Sequence, residues 1–202
     1  MNRKVEQGDA TRAQLIDAGI ALFTEQGFAA TSTTEIVRRA GVTRGALYHH
    51  FPDKERLFEA VFVEVQKEIH TRCAAASLAA PDDPADRISA GIHAFLDACL
   101  EPRTQAVLLR EGPSVLGWQR SLRFDDPHCA RLLLRAGLRE AARAGLVAET
   151  NVEPLTHLLY GALNQAGTVI SAADDPAAER ERMGAAVEEL LRSALRANHT
   201  AS

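Results

Sequence analysis

The chain has 202 residues and carries 23 Lys+Arg against 27 Asp+Glu, a formal net charge of −4. Hydrophobic residues make up 46% and aromatics 5%, which excludes disorder and collagen-like repeats and leaves enough apolar material for one domain or two small ones. No run of about 18 apolar residues occurs, which excludes a membrane-spanning helix.

Taken in chain order, the periodicity predicts helices nearly throughout, with no alternating strand and no Asn-Gly hairpin signal. A first helix is expected from Thr11 to Gln26, with Leu15, Ile16, Ile20, Leu22 and Phe23 on its apolar stripe and Gly27 at its end. Ser32-Thr33-Thr34-Glu35 reads as a capping box opening a second helix that stops at Ala40-Gly41. Thr43 caps a short third helix ending before Pro52, and Asp53 caps a fourth with Leu57, Phe58, Val61, Phe62, Val65 and Ile69 at helical spacing. Asp-Asp-Pro occurs at 82–84, 125–127 and 174–176. Asp accepts from open N–H groups and Pro suits the first helical position, so each is read as a helix start rather than a catalytic or metal-binding carboxylate pair. The remaining helices are expected at 84–101, 103–110, 127–144, from Asn151 and from Pro176, with a looser helical piece at Val115–Arg123 and a frayed tail after Asn198.

The charge is unevenly distributed. Residues 1–56 sum to +1 and residues 57–202 to −5, while 38–56 alone sum to +3 through Arg38, Arg39, Arg44, Lys54 and Arg56. An acidic chain therefore holds one small basic segment able to meet an anion. That segment contains two short helices joined by Ala40-Gly41-Val42, the arrangement of a helix-turn-helix whose second helix enters the major groove. Apolar Ile36, Val42, Leu47 and Phe51 fall where they would hold the three N-terminal helices together, while polar residues cluster on or beside the third helix. Arg44 can pair bidentately with guanine, Gly45 lets the backbone approach DNA closely, and His49, one turn on, reaches a base. Thr33, Thr34, Thr43, Tyr48, His50 and Lys54 are placed for the backbone, where contacts position rather than specify. Lys54 stands in the first turn of its helix, where the macrodipole disfavours a cation and an anionic partner would offset it. Tyr48 also reads as a packing residue, Arg38 and Arg39 as a solvated face, and Arg3 and Lys4 as either a minor-groove arm or a tail. His49-His50 diverge by about 100° on a helix, which disfavours a shared metal.

The run Gly41-Val42-Thr43-Arg44-Gly45-Ala46-Leu47-Tyr48-His49-His50-Phe51, with Lys54 following, resembles the DNA-binding signature of the TetR family of bacterial transcriptional regulators. The similarity extends over about 45 residues, from the first helix to the start of the fourth; Val37 departs from the family's usual Ala. The resemblance implies an all-α protein of about nine helices, with a DNA-binding domain at 1–56 and an effector-binding and dimerisation domain at 57–202. It also implies a homodimer on a pseudo-palindromic operator of double-stranded DNA, released by an unknown small molecule, and contact of the matching positions with that operator.

Beyond residue 57, polar groups scattered on apolar helices are candidates for an effector pocket: Phe95, Cys99, Arg110, Trp118, His128, His157, Tyr160, Asn164 and Thr168, with His93 and Gln165 nearby in pattern. Glu111–Trp118, rich in Gly and Pro, reads as a bent gate or a plain loop, and Trp118 alternatively as a core or interface anchor. The three cysteines, Cys73, Cys99 and Cys129, form no framework of disulfides, which together with an N-terminus lacking an apolar h-region suits a cytoplasmic protein. His70 with Cys73, and His128 with Cys129, lack metal-site spacing, so no metal and no cofactor is expected. No Gly-x-Ser-x-Gly, phosphate-binding loop or His-Glu-x-x-His appears, and catalysis is not expected. The last two long helices are expected to form an intersubunit four-helix bundle. The alternatives are a small helical enzyme carrying a similar turn, or a DNA-binding protein that senses nothing.

Overall fold

A computed structural model describes residues 3–117 and 129–196. Among the described residues every regular element is helical: α1 (Arg3–Ala30), α2 (Thr33–Ala40), α3 (Arg44–His50), α4 (Lys54–Ala79), α5 (Pro84–Ala98), a π-helical segment (Thr104–Glu111), α6 (Gly112–Leu116), α7 (Ala130–Arg143), a 3-10 turn (Glu149–Asn151), α8 (Val152–Ala172) and α9 (Pro176–Arg196). No described helix is long and apolar enough to cross a membrane.

Local chemistry explains most of these boundaries. Ser32 accepts from the Glu35 amide while the Glu35 carboxylate accepts from the Ser32 amide, so both halves of the capping box are made. These same bonds hold the Glu35 carboxyl below its ordinary pKa. Gly41, at φ 67°, ends α2: its N–H donates to Arg38 O and that of Val42 to Val37 O, a pair that needs the left-handed conformation glycine adopts without strain. Thr43 caps α3 through the Ala46 amide, Asp53 bonds the Arg56 amide, and Asp83 bonds the Ala85 and Asp86 amides ahead of Pro84. Asp175 does the same for Ala178 at the start of α9.

Five expectations differ from the structure. The segment from Glu111, expected as a bent gate or loop, is helical as far as Leu116. α1 starts eight residues earlier than Thr11 and runs past Gln26, with its helical path broken at Gly27 (φ 81°). The predicted helix at 103–110 is a π-helix: Ala106, Val107, Leu108 and Leu109 are all buried, and four consecutive apolar residues do not distinguish a period of 3.6 from a wider turn. Asn151 makes no side-chain cap; the 3-10 turn leads into α8 instead. α5 ends at Ala98 rather than at 101. The Asp125-Asp126-Pro127 start, most of the Val115–Arg123 piece and the tail after Asn198 lie outside the described residues.

The chain packs as two units, which divide it elsewhere than residue 56. The first comprises the chain up to Val65 and the stretch beginning at Pro102. Its core contains Leu15, Phe23, Ile36, Leu47, Phe51, Leu57, Phe58, Val61 and Phe62. At Gly19 and Gly112 a Cβ would come within 2.8 Å of Val61 and 2.6 Å of Phe62, so both glycines let helices approach closely. The apolar start of α4 completes this core, which is why the unit outruns the helix-turn-helix. The second unit comprises Gln66–Glu101 and the helices from α7 onward. α7, α8 and α9 pack in sequence and α5 lies against both α7 and α9, burying Ile88, Ile92, Leu96, Leu138, Leu159, Ile170 and Leu191. Between α5 and α9, Ser89 Oγ donates to Glu188 at 2.6 Å and Arg180 Nε to Asp97 at 2.7 Å.

Candidate nucleic-acid interface and cavity

In the first unit, α3 follows Gly41 and Val42 with its buried side toward the core through Leu47, leaving Arg44, Gly45, Tyr48 and His49 exposed. A Cβ at Gly45 would have nothing nearer than Thr43 Oγ1 at 3.9 Å, so this backbone faces open space. Tyr48 is 43% exposed. The Arg44 guanidinium lies 5.6 Å from its ring centroid, a cation–π contact. Hydrogen bonding from Arg44, then Thr33, holds the Tyr48 phenol below its ordinary pKa. The structure thus brings Thr33, Arg44 and Tyr48 into one cluster on the outer face. Thr34 and Thr43 are exposed, His50 is half-buried, and the His49 and His50 rings stand 5.2 Å apart edge to face. Among the described residues no group of three or more His, Cys, Asp or Glu side chains could hold a metal.

The basic segment is partly neutralised internally. Arg39 makes two N–H bonds to Glu25, at 2.7 and 2.6 Å, and Arg56 pairs with Glu59 at 2.7 Å. Lys54 departs most from expectation. Its Nζ donates to Phe28 O at 2.8 Å and Thr31 O at 2.9 Å and sits 4.2 Å from the Phe28 ring centroid. The partner that offsets its position is therefore the carbonyl end of α1, where a cation is favoured. Lys54→Met is expected to lower the unfolding free energy by about 1–3 kcal/mol, since hydrogen bonds to a charged group are lost, and to leave the salt dependence of DNA binding unchanged. Urea unfolding and a salt titration read the two. Unaltered stability with a slope flattened by about 0.9 would put the ammonium on a phosphate instead.

The second unit holds a partly open cavity of about 250 Å³ between α4, α5, α7 and α8. Ile88, Ile92, Phe95, Leu134 and Leu163 make it chiefly apolar, and Cys73, Ser77, Arg87, Glu140 and Tyr160 supply the polar groups. Burial pushes the Cys73 thiol up to about 11 and the Cys99 thiol to about 12, so both stay protonated and unreactive near neutrality. Burial also raises the Tyr160 hydroxyl, which remains a neutral donor and acceptor. All three cysteines are buried and none is in a disulfide.

Of the residues expected in a pocket, Phe95 and Tyr160 line this cavity. Asn164 adjoins it in sequence but donates to Tyr160 O at 2.7 Å. Cys99 is buried outside the lining, His93 faces Glu188, and His157, Gln165 and Thr168 are exposed on α8. Arg110 belongs to the first unit, as does Glu111–Gly117 of the expected gate; neither contributes to the lining. Trp118 and His128 lie outside the described residues. Sequence reasoning missed Ser77, Arg87 and Glu140, which sit at ordinary surface positions of their own helices and meet only through the packing of α4, α5 and α7.

A helix-turn-helix with a polar reading face, in a chain that also carries a helical unit with a chiefly apolar cavity, defines the class of helix-turn-helix transcriptional regulators. Residues 15–61 match the family described as bacterial regulatory proteins, tetR family, and residues 85–194 match the tetracyclin repressor-like C-terminal domain. The chain belongs to the tetR family. A TetR-family regulator from Pectobacterium atrosepticum is similar in structure, with a TM-score of 0.78 and 33% identity over 96% of this chain and 98% of that one. The regulator AcrR of Shigella flexneri is 46% identical over 63 residues, 31% of this chain and 29% of that one. RolR, solved in complex with resorcinol, shares the fold at a TM-score of 0.69 and 22% identity, over 98% of this chain and 97% of that one. The chain spans about half the length, or less, of the curated relatives it matches.

Proposed function

We propose that this protein is a cytoplasmic, ligand-responsive transcriptional repressor that binds a palindromic operator as a homodimer and is released by a small molecule. The observation that carries the reading is the Thr33–Arg44–Tyr48 cluster on the outer face of the helix-turn-helix, in a chain whose other unit holds a chiefly apolar cavity. The functional division is a DNA-binding part at 1–56 and an effector and dimer part at 57–202. Arg44 and His49 read bases; Thr33, Thr34, Thr43, Tyr48 and His50 position the helix, and the Gly45 backbone lies closest to the duplex. The cavity is the effector site, with Phe95 and Tyr160 among its contacts. RolR was solved in complex with resorcinol, so a protein of the same fold binds a small ring compound.

Release is a population shift. α4 is continuous from Lys54 to Ala79 and supplies Cys73, Ala74, Ser77 and Leu78 to the cavity. An effector that binds a displaced α4 more tightly than the operator-bound form favours a dimer whose reading helices are misspaced.

For the dimer we assign α8 and α9. Leu158 is 70% exposed and is followed at helical spacing by exposed Gly161, Gln165 and Thr168, while α9 exposes Leu190. A Cβ on Gly161 would meet nothing within 4 Å, leaving room for a partner helix. Leu158→Glu is expected to give a monomer in analytical ultracentrifugation at concentrations where the wild type is dimeric, and to lose two-half-site DNA protection. A dimer unaffected by Leu158→Glu would move the interface elsewhere.

A further inference from the structure

We propose that the cavity takes an apolar monocarboxylate whose carboxylate pairs with Arg87. This rests on the reading of the cavity as the effector site and assigns that effector a chemical class.

The argument begins with Arg87 itself. It lies in the second turn of α5 and its backbone carbonyl accepts from Ser77 Oγ at 2.9 Å, which fixes the arginine against α4. Its Nη2 reaches Asp82 at 2.9 Å and its Nη1 stands 3.9 Å from Glu140. Neither is a strong claim on the guanidinium. The Asp82 side chain is 93% exposed, so water weakens that pair, and 3.9 Å is beyond hydrogen-bond distance. Nε, by contrast, is buried and has no hydrogen-bond partner. A buried donor left without an acceptor is costly, and it sits on a residue that lines the cavity. Once the guanidinium turns away from the exposed Asp82 and brings Nε to the cavity, a carboxylate bound along the Nε–Nη2 edge makes two parallel N–H bonds and satisfies Nε.

The rest of the lining sets the body of the ligand. Ile88, Ile92, Phe95, Leu134 and Leu163 favour a hydrocarbon or ring. Ser77, Tyr160 and the Cys73 thiol are neutral, so Arg87 is the one cation among the lining residues and a second anionic group would find no partner. Glu140, half-exposed at the same cavity, is the group an apolar amine would choose; it lacks any buried, unanswered counterpart of the Arg87 Nε.

Isothermal titration of the full-length protein with decanoate, decanol and decylammonium, below their micellar range and at one salt concentration, tests the assignment. Decanoate is expected to bind at least about tenfold more tightly than decanol, the scale of a charge-assisted pair. Arg87→Met is expected to abolish that preference to within about twofold, the loss falling on decanoate far more than on decanol. Asp82→Asn, in an exposed loop where folding is not at stake, is expected to tighten decanoate by removing the competing carboxylate. Decylammonium as the tightest ligand, no binding of any of the three probes, or an acid preference that survives Arg87→Met would each overturn the assignment. DNA protection by the same preparation separates the two claims: a protected palindrome with no carboxylate preference leaves the regulator standing without this effector class.

Discussion

Phe58→Ala is expected to lower the unfolding free energy by about 3–5 kcal/mol, the largest stability loss foreseen for a single substitution in this chain. Phe58 is fully buried at the start of α4. Its ring meets Phe23 of α1 at 5.3 Å and Phe28 at 5.4 Å, both edge to face, and Phe23 and Phe28 are 5.7 Å apart. Removing the ring deletes one member of both pairs and opens a cavity that the surrounding helices refill only in part. Phe58→Leu retains most of the volume and is expected to cost less than half as much. Urea unfolding at matched protomer concentration measures both, since a dimer's apparent stability depends on concentration. A cost below about 1 kcal/mol for the alanine variant would mean that this triad is not the anchor of the first unit.

Arg44→Ala is expected to lose about 1–3 kcal/mol of operator binding and to relax preference at one base pair, with little change in stability. The side chain is exposed on α3 and rests over the Tyr48 ring, so its removal empties no core. Leaving that ring for a guanine exchanges one planar partner for another, which keeps the rearrangement small. The measurement is a competition series in which each operator base pair is changed in turn. Loss confined to one position assigns Arg44 to a base; equal weakening on specific and random DNA assigns it to a phosphate.

The parts of the fold that were legible in the sequence are those set by neighbours in the chain. Ser32 and Glu35 are three residues apart, Gly41 closes α2 on its own carbonyls, and Asp83-Pro84 opens α5 with bonds spanning two or three residues. The helix-turn-helix was legible for the same reason, because its turn and its polar face occupy one short stretch. The carbonyl partners of Lys54 are not legible, because they lie 26 and 23 residues away and backbone carbonyls carry no residue-type signal. The π-helical segment was read as an ordinary helix because four consecutive buried residues fit either period. The cavity was legible only as a composition of apolar helices with a few polar groups. Which groups converge depends on the packing of α4, α5, α7 and α8, so Phe95 and Tyr160 were found while Ser77, Arg87 and Glu140 were not.

The division of charge follows the same logic. The chain as a whole is acidic, yet the helix-turn-helix segment sums to +3. Pairing of Arg39 with Glu25 and Arg56 with Glu59 trims that excess, so a limited number of cations remain to meet phosphates. Weak non-specific attraction sharpens discrimination, since affinity then rests on base contacts rather than on counterion release.

Footprinting of the full-length protein on the DNA flanking its own gene tests the central claim most directly. The account predicts a protected, two-fold symmetric site with half-sites about 10–10.5 base pairs apart, or a multiple of that spacing. Uniform, salt-sensitive protection with no symmetric site would contradict it.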